Sequence, residues 1–212
     1  MSVIRKIVNV LKNADSIEEM QTVREELLEL FPLMRRALNF DQKHYSHQYF
    51  LWEHSLHTVL NLPRNLDDDM LYLGAFLHDI AKPDAQCRGK DPDDPNMHYY
   101  HHPEMSEVLV REQVLPELER RDIRLSDEEK TRLLFYVRHH DDNMLSDNSR
   151  CASVRKLIEE AGEDTVRKLM LLEVADAYAH NLIDIVRERI RVCEMLTGDY
   201  FGTFAKSCMS DA

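Results

Sequence analysis

The chain contains the segment Leu73-Gly74-Ala75-Phe76-Leu77-His78-Asp79-Ile80-Ala81-Lys82-Pro83, an apolar run that ends in a polar cluster just before a proline. The run predicts a buried helix, which gains nothing from an imidazole and a carboxylate unless both find partners. Side by side, His78 and Asp79 can hold one divalent cation. Lys82 follows Asp79 on the same helical face, where its ammonium can meet a negative ligand. A lone pair of this kind is more often a satisfied core histidine beside an exposed aspartate, so the interpretation depends on further ligands.

The composition predicts a helical protein with one large domain, or with one domain and an appendage. A chain of 212 residues can bury a sizeable core, and only five glycines and seven prolines favour helices joined by short loops. The net charge of −12 argues against broad, nonspecific binding to nucleic acid, which needs basic surface. The negative net charge does not exclude a small phosphorylated ligand, because a bound metal ion can make the local charge of a site positive.

The cysteines and the N-terminus predict a cytoplasmic location. The four cysteines are far apart and form no C-x-x-C pair, which indicates free thiols in a reducing compartment. No stretch approaches the roughly 20 apolar residues that a membrane span requires, and no leader cleavage pattern is visible. We therefore expect no membrane partner.

Two more residues with metal-binding side chains lie on predicted helical faces. A helix beginning near His47 carries His54 on a face shared with Phe50, Leu51 and Thr58, whereas His57 is predicted to be an exposed polar position. Asp176 lies on the buried face of a long helix after Gly162, and either a buried arginine or a cation can compensate its charge. The positions of that buried face are Thr165, Leu169, Leu172, Asp176, Ala179 and Ile183.

Further imidazoles lie at predicted helix ends. His102 begins a helix with Pro103 in its first turn, where backbone amides favour a phosphate or another anion. A helix opened by Asp127 ends in His139 and His140, which places an imidazole at the end of an apolar stripe.

Capping signals mark the helix starts. Ser16 followed by Glu19 is a capping-box pattern, which predicts one helix continuing to about Leu30. The acidic triplet Asp67-Asp68-Asp69 is predicted to be the solvated start of the helix that leads to His78.

Histidine, then His-Asp, then a distant aspartate is the ligand order of the HD superfamily of metal-dependent phosphohydrolases, which this chain resembles. It is similar in particular to the HD domain carried by tRNA nucleotidyltransferases of the poly(A) polymerase family, over residues 38 to 184. The first ligand falls on His54 rather than His57, because the family's His-(Ser/Thr)-Leu run aligns with His54-Ser55-Leu56. The resemblance is carried by Phe40-Asp41-Gln42, Trp52-Glu53-His54-Ser55-Leu56, Leu77-His78-Asp79-Ile80-Ala81-Lys82-Pro83 and Ala175-Asp176-Ala177-Tyr178-Ala179-His180-Asn181.

The chain also departs from this family. It has no Gly-Ser followed by a paired-carboxylate strand, so CCA addition is not predicted. His101-His102 stands where the family usually has Gly-His, and His139-His140-Asp141 stands where Tyr-His-Asp is common. These extra imidazoles resemble the binuclear HD enzymes, including cyclic-dinucleotide phosphodiesterases, whose Gly-Tyr-Pro signature is absent here. The number of metal ions stays open.

The resemblance implies a compact all-α HD-domain helical bundle. Residues 1–40 are predicted to be an N-terminal helical lead-in, 41–200 the HD domain and 201–212 a C-terminal tail. The implied cofactor is one or two divalent transition-metal ions (Mn, Fe, Co, Ni or Zn). The predicted metal ligands are His54, His78, Asp79, Asp176, His102, His139 and His140.

The implied activity is a metal-dependent phosphohydrolase that acts on phosphomonoesters or (cyclic) phosphodiesters of nucleotides or RNA ends. Asp79 is predicted to orient the attacking water, and Lys82 and His102 to neutralise charge on the phosphoryl group. At least one of His101 and His139 is predicted to be a plain surface residue. The expected partner is a small phosphorylated substrate.

Two other interpretations stay open. The chain can be a catalytically silent, metal-stabilised HD module with a regulatory or tRNA-related binding role. It can also be an RNA-binding accessory that uses Arg187, Arg189 and Arg191, although a basic helix this short in an acidic chain is more often a solvated face.

Overall fold

The computed structural model describes residues 3–64, 66–142 and 147–197, and over these ranges the chain is all-α apart from one short β-hairpin. The predicted all-α class is therefore confirmed. The predicted C-terminal tail, residues 201–212, lies outside the described residues. No helix in the described ranges is long and apolar enough to cross a membrane. The elements are α1 Val3–Asn13, α2 Ile17–Gln21, α3 Arg24–Leu30, α4 Leu51–Asn61, α5 Asp69–Leu77, α6 Lys82–Ala85, β1 Cys87–Arg88, β2 Met97–His98, α7 His102–Leu109, α8 Leu115–Arg120, α9 Asp127–His139, α10 Asp147–Ala161, α11 Glu163–Tyr178 and α12 Asp184–Thr197.

Helix α5 is the centre of the bundle, since every residue from Met70 to Leu77 is buried. Helices α4, α9 and α11 pack around it. Helix α9 approaches closely at Gly74, where an added Cβ would lie 2.9 Å from the Cβ of Tyr136. Because α5 is enclosed in this way, the turn that follows it delivers His78 and Asp79 to the interior of the protein.

The N-terminal segment contributes to the same apolar core but differs from its predicted form. Ile7 and Leu11 of α1 belong to the core cluster that includes α5. The helix predicted from Ser16 to about Leu30 is two helices, α2 and α3, separated at Thr22–Val23. The Ser16 hydroxyl accepts the Glu19 backbone N–H as predicted, but the Glu19 carboxylate accepts from the backbone of Asp15, so the box is not reciprocal.

Three further predictions need correction. Helix α4 begins at Leu51 rather than near His47, and Phe50 is 46% exposed instead of sharing the face of His54. Helix α11 ends at Tyr178, so Ile183 is not part of its buried face. Asp68 is buried rather than solvated, because its carboxylate caps α5 and contacts Tyr136.

Candidate metal centre

Four of the predicted ligands come together in one buried group inside the bundle. His54 lies on α4 and Asp176 on α11, whereas His78 and Asp79 lie in the turn after α5. His54 Nε2 lies 2.9 Å from Asp176 Oδ1 and 3.3 Å from His78 Nε2, and His78 Nε2 lies 3.0 Å from Asp79 Oδ2. Each residue offers one ligand atom, and these atoms lie within 4.8 Å of one another. The group can therefore hold a metal ion.

A second group forms on the other oxygen of the same carboxylate. His102, at the start of α7, and His140, just after α9, bring their Nε2 atoms within 3.1 Å and 3.4 Å of Asp79 Oδ1. The two Nε2 atoms are 3.1 Å apart. Asp79 thus lies between the two groups, with Oδ2 facing His78 and Oδ1 facing His102 and His140.

Hydrogen bonds fix which ring nitrogen carries the proton in three of these histidines. His78, His102 and His140 each place Nδ1 at 2.8 Å from a backbone carbonyl oxygen. A carbonyl oxygen only accepts, so Nδ1 donates and the neutral ring presents a lone pair at Nε2. Metal-ligating histidines are usually oriented by a hydrogen bond of this kind. The accepting carbonyls belong to Ala75, Tyr99 and Val137.

The site fits a cation because several of its buried atoms have no hydrogen-bond partner among the described residues. These unpartnered atoms are both oxygens of Asp79, Oδ1 of Asp176 and Nδ1 of His54. Imidazole nitrogens do lie close to both carboxylates, but without hydrogen-bond geometry. The facing lone pairs of His102 and His140 also repel each other unless a proton or a cation lies between them. A bound metal ion would satisfy these atoms together.

The charges of the site are mutually dependent. Burial opposes a charge on His78, but Asp79 and Asp176 outweigh it and raise the pKa of His78 to about 10. Burial would raise the pKa of Asp79, yet His78 and Lys82 hold it well below its usual range. Burial lowers the pKa of His140, which favours the neutral ring. A metal ion must displace the proton of His78, because ligand imidazoles bind in the neutral form.

Lys82 lies against the shared carboxylate. Its Nζ is 2.6 Å from Asp79 Oδ2 and donates a hydrogen bond to Gln42 Oε1 at 2.8 Å. The side chain is nearly buried, yet it lines the cavity beside the two groups. The geometry therefore leaves an ammonium at the boundary between Asp79 and the cavity.

Arg189 corrects the prediction of a solvated basic helix. It lies on α12 and points inward, with Nη1 at 3.3 Å from Asp176 Oδ2 and Nη2 donating to the backbone oxygen of His140 at 2.7 Å. Beneath it, burial raises the pKa of Glu173 to about 8, although the Arg189 guanidinium acts against that shift. Asp176 thus has an arginine at one oxygen and an imidazole at the other. Of the two predicted compensations the structure shows the buried arginine, and the imidazole side of Asp176 belongs to the group that can hold a metal ion.

The remaining predicted histidines lie away from the two groups. His139 Nδ1 is 2.7 Å from Asp142 Oδ2, and its Nε2 is 3.5 Å from Glu160, so His139 is not brought to Asp79 with the other predicted ligands. The His101 side chain is 81% exposed. His57 is half-buried and stacks on Tyr49 with 4.0 Å between ring centroids.

Sequence reasoning missed several residues of the site. His180 follows Asp176 by one helical turn, so the spacing offered a signal for it within the segment that carries the resemblance. Three more are His47, Gln42 and Arg189. They lie outside the helices that carry His54 and Asp176, and only the tertiary arrangement reveals their proximity to the ligands.

A cavity of about 430 Å³ reaches the centre from solvent. Asp79, Lys82, His102 and His140 line its inner end, and Arg138 lies on its wall. Its size is in the range of small-molecule sites.

No protein-family model and no curated protein matches this chain.

Proposed function

We propose that this protein is a metal-dependent phosphohydrolase of the HD type that binds two divalent ions. One observation carries the proposal: the two oxygens of the Asp79 carboxylate face two different groups of ligand atoms. A carboxylate shared in this way is the expected bridge of a two-ion site. The ligand order along the chain and the resemblance to HD domains support the same conclusion.

The proposed ligand sets follow from the distances. His54, His78, Asp79 and Asp176 would hold the first ion, and Asp79, His102 and His140 the second. Mixed imidazole and carboxylate ligands favour Mn, Fe, Co, Ni or Zn over Ca or Mg. His102 acts here as a ligand rather than as a free cation, because its Nε2 presents a lone pair. His139 is not part of either set.

The ions would supply an activated water and polarise a phosphoryl oxygen of the substrate. The protein's own residues would hold the water, the phosphoryl group and the metal ligands in position. Asp79 orients the attacking water, and Lys82, held by Gln42 at the cavity edge, offers positive charge to the phosphoryl group. Arg189 holds Asp176 and the backbone of His140, so it keeps ligands of both sets in place.

The substrate that we propose is a phosphomonoester or a 2′,3′-cyclic phosphodiester of a nucleotide or RNA end. The cavity supports a small substrate, because its volume of about 430 Å³ lies within the range of small-molecule sites. Asp79, Lys82 and His102 line this cavity. This solvent access favours an enzyme, because a silent, metal-stabilised module does not need solvent access to its ligands.

The proposal is tested with Asp79→Asn, which keeps the side-chain shape but removes the charge. We expect its rate on a generic phosphodiester and on 2′,3′-cyclic nucleotides, with Mn²⁺ or Ni²⁺ added, to fall at least a hundredfold, which corresponds to about 3 kcal/mol. His57→Ala is the matched control, since His57 lies three residues from His54 yet contacts Tyr49 instead. Equal rates for Asp79→Asn and wild type would end the proposal.

A further inference from the structure

A third set of imidazoles lies beside His54, and two of its members have no part in the proposed reaction. We propose that His47, His54 and His180 form an auxiliary site for a transition-metal ion. The site shares His54 with the first ion set and in this respect rests on the proposed function, but it does not depend on hydrolysis.

The geometry of the three rings supports this site. One nitrogen from each ring lies within 4.8 Å of the other two. His180 donates its Nδ1–H to the backbone oxygen of Asp176 at 2.8 Å, which leaves a lone pair on Nε2. His47 Nδ1 and His54 Nδ1 are buried and have no hydrogen-bond partner among the described residues. The three rings thus converge, and two of them carry a buried nitrogen without a partner among the described residues.

The backbone holds two of these histidines together across a long separation in sequence. His47 and His180 form an isolated antiparallel β-bridge. The backbone N–H of Asn181 donates to Ser46 O at 2.7 Å, and Gln48 Nε2 donates to His180 O at 3.0 Å. The two rings lie 4.4 Å apart between centroids, and the hydrogen bond from Nδ1 to Asp176 O holds the ring of His180. A preformed site of this kind loses little conformational entropy when it binds an ion.

Three imidazoles suit Zn²⁺, Co²⁺ or Ni²⁺, and a three-histidine site commonly keeps a fourth position open. His47 and His180 both line the cavity, so that position would face the cavity. His54 can serve both neighbouring sites because a ring has two nitrogens, and its Nε2 already lies 2.9 Å from Asp176. When both nitrogens bind, the ring is an imidazolate, and its displaced proton passes to solvent.

The experiment is a Co²⁺ titration of the full chain, followed by metal analysis after removal of free ion. We expect the double variant His47→Gln/His180→Gln to bind about one equivalent less than wild type and to lose part of the cobalt absorption. His57→Gln is the matched control and should bind as much cobalt as wild type. Equal binding by the double variant and wild type would overturn the proposal.

A second measurement covers the case in which the double variant does not fold. Crystals of wild type soaked in Zn²⁺ should give an anomalous peak among the three imidazoles, and its absence while the Asp79 groups are occupied would overturn the site. The outcomes remain separate from those of the proposed function. If no substrate is hydrolysed but the difference of one equivalent persists, the proposed activity is wrong and the auxiliary site stands.

Discussion

Helix α5 has a buried aspartate beside each of its ends, and the two carboxylates have different surroundings. Asp68, at the N-terminus, accepts hydrogen bonds from the Leu71 backbone and the Tyr136 hydroxyl, and two basic side chains lie within 3.4 Å. Asp79, beyond the C-terminus, is as deeply buried, yet neither of its oxygens has a hydrogen-bond partner among the described residues. The first is satisfied by hydrogen bonds within the fold, whereas the second has the Lys82 ammonium at 2.6 Å from Oδ2 and still lacks hydrogen bonds. This difference in hydrogen bonding distinguishes a carboxylate that the fold satisfies from a candidate metal ligand, whereas burial does not.

The largest effect should come from removing metal. A ligand present at a thousand times its dissociation constant stabilises the folded state by about 4 kcal/mol, so chelation should lower the free energy of unfolding of the metal-loaded protein by about that much. Denaturant titrations with and without chelator measure this change. Asp68→Asn should respond to chelator as wild type does, whereas Asp79→Asn should respond far less. An equal response in both variants would remove the distinction between the two carboxylates.

Asp68→Asn should cost stability without affecting metal. It keeps the side-chain shape but removes the charge that Arg132 and Lys168 contact, and hydrogen bonds to charged groups contribute about 2 kcal/mol each. We expect the free energy of unfolding to fall by about 2 kcal/mol, measured with denaturant. Metal content should stay at the wild-type level. Loss of metal from this variant would contradict a purely structural role.

The sequence predicted the features that depend on residues close together in the chain, and it did not predict those that depend on distant residues. The burial of Asp176 and the helix start at His102 were predictable, because periodicity and local capping determine them. The burial of Asp68 was not, because its partner Tyr136 lies on α9, 68 residues away in sequence. The inward direction of Arg189 was not predictable either. The sequence of its own helix is typical of a basic surface, and the carboxylates that it contacts lie on α11.

Glu173 is a third buried carboxylate, and its effect on stability is spread over a range of pH. Its pKa is raised from 4.5 to about 8 by burial, so between those values the folded state holds a proton that the unfolded state has released. Stability therefore falls as pH rises through this window, by at most about 1.4 kcal/mol per pH unit. Glu173→Gln removes the dependence, so its stability relative to wild type should increase from pH 4.5 to pH 8 and then level off. Parallel slopes for variant and wild type across this window would show that Glu173 is ionised in the folded protein.

The central claim is that Asp79 bridges two ions, and anomalous scattering from crystals of metal-loaded wild-type protein tests it most directly. The account predicts two peaks at the metal edge on opposite sides of Asp79, separate from the auxiliary site, with none at Asp68. One should lie beside His78 and Asp176, and the other beside His102 and His140. Fully loaded crystals that lack one of these two peaks would contradict it.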